Sequence, residues 1–311
     1  MALHLVPRGL LYLEAIVEHG SIQAASRAIG ISASAIDRQI VLLEERLGAR
    51  LFDRVPTGMA LTPAGEMFLV LARRWQADES RVWSDVKQMQ GVELGHIRLV
   101  TMDSLVNGPI PTFLAAMSET YPRVRVDVEI ATPDDAVDRI VDGAADIGLA
   151  FNVRPRKELH VMWSATLPLV CVAAPDHPLA RRTEVSLGEI SGHALVLQNR
   201  ALTIRRILEA RHGWIFSEGG PPVATNSLQL LKQLAVAGTH VALTSELDVA
   251  PELLDGRLVA IPIGNRKATG QSISVVINAR RTVPRICLLV AERLSGHMEE
   301  VLRAVRQVGA A

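Results

Sequence analysis

Hydrophobic spacing changes character twice along this chain. Over the first fifty residues apolar positions recur at helical intervals broken by glycine. Leu10, Leu13, Ile16 and Val17 follow Pro7, and Gly20 stops the run. Ser21 then offers an N-cap for a short helix, Ile22 to Ile29, whose Ala24, Ala25 and Ala28 are small enough for a close crossing. Gly30 ends it. Ser32 caps a third helix with Ile36, Ile40, Leu43 and Leu47 on one stripe, and Gly48 closes it. Two helices joined by a short glycine-containing turn form a helix-turn-helix pattern. Arg50 to Arg54 and Met59 to Thr62 then read as two short strands about a Pro56–Gly58 turn, a small wing.

Thr62 followed by Pro63 signals a new helix, a capping hydroxyl and then proline at the first helical position. Phe68, Ala72, Trp75, Glu79, Val82, Val86 and Met89 alternate at spacings of four and three, as along a coiled-coil seam. Glu79 is the polar exception. The stripe predicts a dimer seam, with packing on the helix's own domain as the alternative. Gly91 to Gly95 reads as a hinge.

Beyond the hinge, strand and helix patterns alternate. His96–Met102, Val124–Ile130 and Ile147–Phe151 read as strands, with helices Ile110–Thr120 and Pro133–Asp142 between them. This βαβαβ order predicts a parallel sheet covered by helices. A strand over Leu167–Ala174 opens a second copy. It continues with strand Ala194–Leu197, helix Thr203–Arg211, strand Pro222–Ala224, helix Ser227–Ala237 and strand Val241–Leu243. Strands near Leu258–Ile263 and Ser272–Asn278 and a helix Pro284–Arg306 complete it. The expected fold is an α+β winged helix-turn-helix, a long linker helix and a two-lobed α/β domain. The expected divisions are 1–62, 63–92 and 93–311, the last split into lobe I (about 93–164 plus 267–311) and lobe II (about 165–266). A cleft between such lobes faces the carboxyl ends of their strands, where ligands of open α/β sheets sit.

Composition bounds the function. The 311 residues are 49% hydrophobic and 21% charged, ordinary for a folded protein of about two domains. Thirty-three basic residues balance thirty-three acidic ones, so no cationic coat draws the whole chain to nucleic acid. Residues 1–60 repeat that balance, with six arginines, no lysine and six acids. No apolar run reaches membrane length, and Glu14 and Glu18 interrupt the N-terminal apolar stretch, so neither a span nor a signal peptide is expected. A cytoplasmic protein is the expectation.

Enzyme signatures are missing. There is no G-x-S-x-G elbow, no G-x-x-x-x-G-K loop, and no G-x-G-x-x-G at the first strand-to-helix turn. The nine histidines hold no metal-binding spacing, and Cys171 and Cys287 lie in apolar stripes as inert thiols. No catalytic residue, metal or cofactor is expected; a non-covalent small-molecule effector is.

GSIQAASRAIGISASAIDRQI from Gly20, LEERLGARLFDR through Arg54 and LTPAGE through Glu66 resemble the LysR-type transcriptional regulators, as does HPLA at His177–Ala180. The resemblance runs the length of the chain. It implies a ligand-responsive regulator with an effector domain like the periplasmic binding proteins, a homodimer or homotetramer on an interrupted palindrome in double-stranded DNA, with RNA polymerase as a further partner. A stand-alone solute-binding protein is the alternative, and a coiled-coil scaffold without ligand a third.

The candidate DNA contacts are Ser21, Ser32, Ala33, Ser34, Asp37, Arg38, Arg50, Arg54 and Thr62; the resemblance supports Ser21, Ser32 and Thr62 on the backbone, and Arg38 follows from its place on the reader helix. Arginines and hydroxyls there set register on phosphate. Where the family commonly has S-Q-P-A-L-S-R, this chain reads Ser32-Ala33-Ser34-Ala35-Ile36-Asp37-Arg38. Ala33 then offers apolar contact, for example to a thymine methyl, and Asp37 an acceptor for cytosine N4. For the effector, the strand-end residues are Thr101, Met102, Asp103 and Ser104 in lobe I, with Phe151 and Asn152. In lobe II they are Gln198, Asn199, Thr203, Asn226, Ser227 and Thr244. Several sit where helix N-termini favour an anion, yet Asp103 would repel a plain one. The expected effector therefore carries both an acceptor end and an amine or hydroxyl, as amino acids do. Peroxide sensing is not expected, because no cysteine falls between Gln198 and Gly219, where peroxide-sensing relatives place theirs.

Overall fold

The computed structural model describes residues 6–55, 58–89, 95–200, 203–213, 223–264, 270–280 and 283–310. Three helices, α1 (Arg8–His19), α2 (Ile22–Ile29) and α3 (Ala33–Leu47), precede a two-stranded wing, β1 (Phe52–Val55) and β2 (Gly58–Leu61). Gly20, Gly30 and Gly48 end the three helices in the left-handed conformation, which an L side chain adopts only at a cost. Leu13, Ile16, Ala25, Ile36, Ile40 and Leu51 form their shared core. The wing is antiparallel, with Phe52 opposite Leu61, and its tip is held from below. Gly58 sits at φ 135° against the Gly20 carbonyl, where a Cβ would collide, and the Met59 N–H donates to that same carbonyl at 3.1 Å. The Pro56–Gly58 turn itself lies mostly outside the described residues.

Helix α4 (Pro63–Met89) begins where Thr62 and Pro63 predict. Its stripe divides between two environments. Ala72 is fully buried against Val6 and Leu10, with Phe68 packed beside them, so this end of the predicted seam is core of its own domain. Trp75, Val82 and Val86 remain exposed, at 42, 53 and 40%. A four-and-three spacing marks a face to be covered, and here two different partners share it. The side chain of Met89 and the hinge residues 91–94 lie outside the described residues.

Two five-stranded sheets follow. β3 (Gly95–Thr101), α5 (Pro109–Thr120), β4 (Val124–Ile130), α6 (Pro133–Asp142) and β5 (Ile147–Phe151) make the predicted βαβαβ unit. Next come β6 (Leu159–Leu167), β7 (Leu169–Ala173), α7 (Leu187–Ser191), β8 (Leu195–Gln198), α8 (Thr203–His212), β9 (Val223–Thr225) and α9 (Leu228–Val236). The chain ends with β10 (Val241–Ser245), α10 (Ala250–Leu254), β11 (Val259–Pro262), β12 (Gln271–Asn278) and α11 (Arg285–Ala310). Strand order is β4-β3-β5-β12-β6 in one sheet and β11-β7-β10-β8-β9 in the other.

The single strand expected over Leu167–Ala174 is two. β6 pairs with β12 in the first sheet and β7 with β10 in the second. Pro168, which has no N–H to give a ladder, stands at the break. β6 itself was not anticipated, since its apolar and polar residues do not alternate cleanly. The lobes are therefore crossed twice, from β6 to β7 and from β11 to β12. Helix α11 adds a third tie: Ile286 to Leu302 pack in the first core, and Val305 joins Leu231 and Leu253 of the second.

Candidate functional site

Two concave surfaces collect the predicted residues. One lies at the helix-turn-helix. Ser21 Oγ accepts from the Ala24 N–H at 3.2 Å and Ser32 Oγ from the Ala35 N–H at 3.3 Å, so each hydroxyl first caps a helix. Ser21, Ala33, Ser34 and Asp37 line an open concavity of about 490 Å³ between these helix starts and the wing. Gln23, two residues beyond the Ser21 cap in the first turn of α2, shares the wall and is a residue the sequence reading missed. Arg38 and Arg50 are exposed on the same domain. The side chain of Arg54 lies outside the described residues. Thr62 is committed to structure: its Oγ1 donates to the Arg50 carbonyl at 2.7 Å and accepts from the Gly65 N–H at 3.0 Å.

The other surface is a cleft of about 410 Å³ between the two sheets. It sits at the carboxyl ends of β3, β4, β5, β8 and β9, the position the topology dictates. Met102, Asp103, Ser104, Phe151, Gln198 and Asn226 line it, as expected from their strand ends. Five expected residues lie elsewhere. Thr101 is fully buried beneath the first turn. Asn152, at φ 52°, ties the end of β5 to β12, its Oδ1 accepting from the Ser272 N–H at 3.0 Å. Asn199 stands off the wall, donating its N–H to the Thr225 carbonyl at 2.8 Å. Ser227 caps α9 by accepting from the Leu230 N–H at 3.2 Å. Thr244 is buried and donates to Asp248 Oδ2 at 2.8 Å. The side chain of Thr203 is not described.

The wall also holds residues the strand-end reading overlooked: Ile130, Thr132 and Asp135 where β4 meets α6, Ile204 and Leu228 from lobe II, and Gln271 and Asp248. Thr132 and Asp135 follow the same rule as Thr101 and Asp103, one strand further along. Asp248 lies in the turn after β10 and has no such signature. Its Oδ2 accepts from Thr244, from the Ser245 N–H at 3.2 Å and from Ser245 Oγ at 2.9 Å. Its Oδ1 is buried without a partner among the described residues, as is Ser104 Oγ.

Neither thiol belongs to a site. Cys171 is fully buried in β7, and burial pushes it up to about 12, far from a reactive thiolate. Among the described residues no group of three or more His, Cys, Asp and Glu is placed to hold a metal ion. Among them too, no helix is long and apolar enough to cross a membrane.

A winged helix-turn-helix joined through a long helix to two α/β lobes over a cleft defines a DNA reader coupled to a small-molecule binding domain. The chain belongs to the LysR family. The family model described as "Bacterial regulatory helix-turn-helix protein, lysR family" matches residues 7–66, and the "LysR substrate binding domain" model matches residues 90–299. The HTH-type transcriptional regulator PtxR of Pseudomonas aeruginosa is 27% identical over 300 residues, covering 95% of this chain and 94% of that protein. The regulator CbbR of Xanthobacter flavus is 27% identical over 290 residues, covering 91% and 86%. The LysR family regulator CbnR, at 20% identity and TM-score 0.63 over 96% of this chain and 98% of that one, shares the fold. So does full-length CbnR solved with its target DNA, at 20% identity and TM-score 0.62 over 94% and 99%. This is a ligand-responsive transcriptional regulator of the LysR type, in a family of regulators rather than enzymes. A stand-alone solute-binding protein is not favoured, since the helix-turn-helix is matched in its own right.

Proposed function

We propose that this chain binds an interrupted palindromic operator as a homodimer or homotetramer, and that an effector in the interlobe cleft changes the spacing of its reader helices. Residues 1–62 read DNA, 63–92 form the dimer helix and hinge, and 93–311 hold the effector. Arg38, Arg50 and Arg54 set register on phosphate, while Ala33 and Asp37 face base edges. RNA polymerase is the further partner, and the cytoplasm, where the DNA is, the compartment.

The observation that carries this reading is the pairing of two hollows on one chain. One, of about 490 Å³, opens at the helix starts and wing, and the other, of about 410 Å³, opens at the strand ends of two lobes. The exposed Trp75, Val82 and Val86 on α4 support a second copy along that helix. A ligand favouring one lobe arrangement shifts the population toward it, and a packed assembly carries that shift to the DNA.

DNase footprinting with the full-length protein on the intergenic segment upstream of its gene tests the proposal. Two protected half-sites that respond to a cleft ligand are expected. Absence of protection at low salt would overturn it.

A further inference from the structure

We infer that the cleft selects a small organic cation, a primary amine or polyamine on an apolar body, rather than an anionic acid. This rests on the reading of the cleft as the effector site and names the chemistry it accepts.

Charge is the first observation. Asp103, Asp135 and Asp248 line the cleft from three different elements, and among its described lining residues there is no Lys, Arg or His. Three carboxylates around a hollow of about 410 Å³ set a negative potential, which low-dielectric walls concentrate. An anion entering here meets repulsion and finds no described side-chain cation to pair with.

The second observation concerns hydrogen bonding and is independent of net charge. Asp248 is only 2% exposed, and its Oδ1 has no donor among the described residues. Three donors from Thr244 and Ser245 converge on Oδ2 instead, holding the carboxylate in one orientation. Ser104, 8% exposed on the facing lobe, has an Oγ with no partner among the described residues. A buried carboxylate oxygen without a donor is costly, so an occupant that brings N–H or O–H groups beside it is favoured over one that brings none. An ammonium group brings three donors and no acceptor; a carboxylate brings none.

The starts of α8 and α9 reach the wall through Ile204 and Leu228 with no acid in their first turns, so the sign of the cleft rests on the three carboxylates and on the start of α6. The N-terminus of α6 opens on the cleft, where it would otherwise attract an anion. Its first turn already carries Asp134 and Asp135, and Thr132 caps it by accepting from the Asp135 N–H at 3.3 Å. The rest of the wall is apolar, from Met102, Ile130, Phe151, Ile204 and Leu228, and fits a hydrocarbon body between charged contacts.

Calorimetric titration and thermal midpoints of the full-length protein with hexylamine, hexamethylenediamine, spermidine, hexanol, hexanoate and adipate test the inference. The amines are expected to bind and raise the midpoint, with affinity falling as salt rises, while the acids and hexanol do neither. Asp103→Asn and Asp248→Asn are expected to weaken amine binding about tenfold each, the loss of one charge-assisted contact. Asp103 is exposed, so its variant should keep the ligand-free midpoint even where Asp248→Asn lowers it. Binding of hexanoate or adipate, equal amine binding by Asp103→Asn and the parent, or no response to any amine would each overturn the inference. Footprinting on the same preparations separates the two failures. An intact footprint with a flat amine response sinks the ligand class alone, and a missing footprint sinks the regulator reading.

Discussion

Glu44 Oε1 accepts from the Leu51 N–H at 2.7 Å and from the Phe52 N–H at 3.2 Å, locking the end of α3 to the first wing strand. One carboxylate thus answers two backbone donors that have just left the helix, and it fixes the angle between reader helix and wing. Glu44→Ala is expected to destabilise the N-terminal domain by about 1–3 kcal/mol, the cost of two unmet donors at a partly buried site. It should also weaken operator binding without changing sequence preference. Denaturant unfolding of the full chain together with binding-site selection checks both; an altered preference would mean that Glu44 reads bases.

Arg38 is exposed on α3, in the second turn beyond the Ser32 cap. If it neutralises one phosphate, Arg38→Ala lowers the magnitude of the salt slope of operator affinity by about 0.9 and weakens binding roughly alike across sequences. An unchanged slope would move Arg38 off the backbone. With only Arg38, Arg50 and Arg54 assigned to phosphate, the total slope should be shallow, and each cation is a large share of it.

The exposed stretch of α4 makes its own prediction. Val82→Asp with Val86→Asp should leave the folded core untouched, because both side chains are solvent-facing in the single chain, at 53 and 40%. A dimer resting on this face would dissociate, seen as a halved mass in light scattering and a weakened footprint. A dimer of unchanged affinity would assign assembly to another surface.

Local signals carried much of this fold. Ser21 and Gly30 bracket α2 at its observed residues, and Thr132, Pro133 and Gly143 do the same for α6. These are short-range devices, readable because a cap and a left-handed glycine act within one turn. What could not be read was long-range. The spacing of Phe68 and Ala72 identifies a buried face but not that α1 covers it. The strand-end rule finds Asp103 and Gln198 yet passes over Asp248, whose place in the cleft depends on the turn after β10 folding back between lobes. Asn152 and Thr244 show the converse. A polar residue at a strand end serves the scaffold when a closer partner, Ser272 for Asn152 and Asp248 for Thr244, claims it first.

His177 gives lobe II a pH dependence. Its Nδ1 accepts from the Leu179 N–H at 3.2 Å, which requires the neutral ring. Burial first, then the His193 imidazole 5.0 Å away, hold it below its ordinary 6.5, with Asp176 opposing. As pH falls below about 6.5 the unfolded chain takes up this proton before the folded one does, so stability declines there. His177→Asn keeps an acceptor for Leu179 and removes the titration. Its thermal midpoint should therefore fall less than the parent's on acidification; parallel midpoints would assign the effect elsewhere.

Lys232 and Glu252 form an ion pair at 3.1 Å between α9 and α10, with side chains only 3 and 6% exposed. Both charges have left water, and Glu252 Oε2 has no partner among the described residues, so the pair is held together more by the cost of separation than by a net gain. Lys232→Met is expected to cost about 3–5 kcal/mol, because it strands a buried carboxylate among Leu228, Leu231 and Leu253 of the same core. Adding Glu252→Leu removes the stranded charge and should recover most of that loss. The Arg257 guanidinium, 3.9 Å from Glu252, is more exposed and too distant to substitute for the ammonium. Urea midpoints of the single and double variants decide it. A double variant as unstable as the single would show that shape, not charge, is what Lys232 contributes.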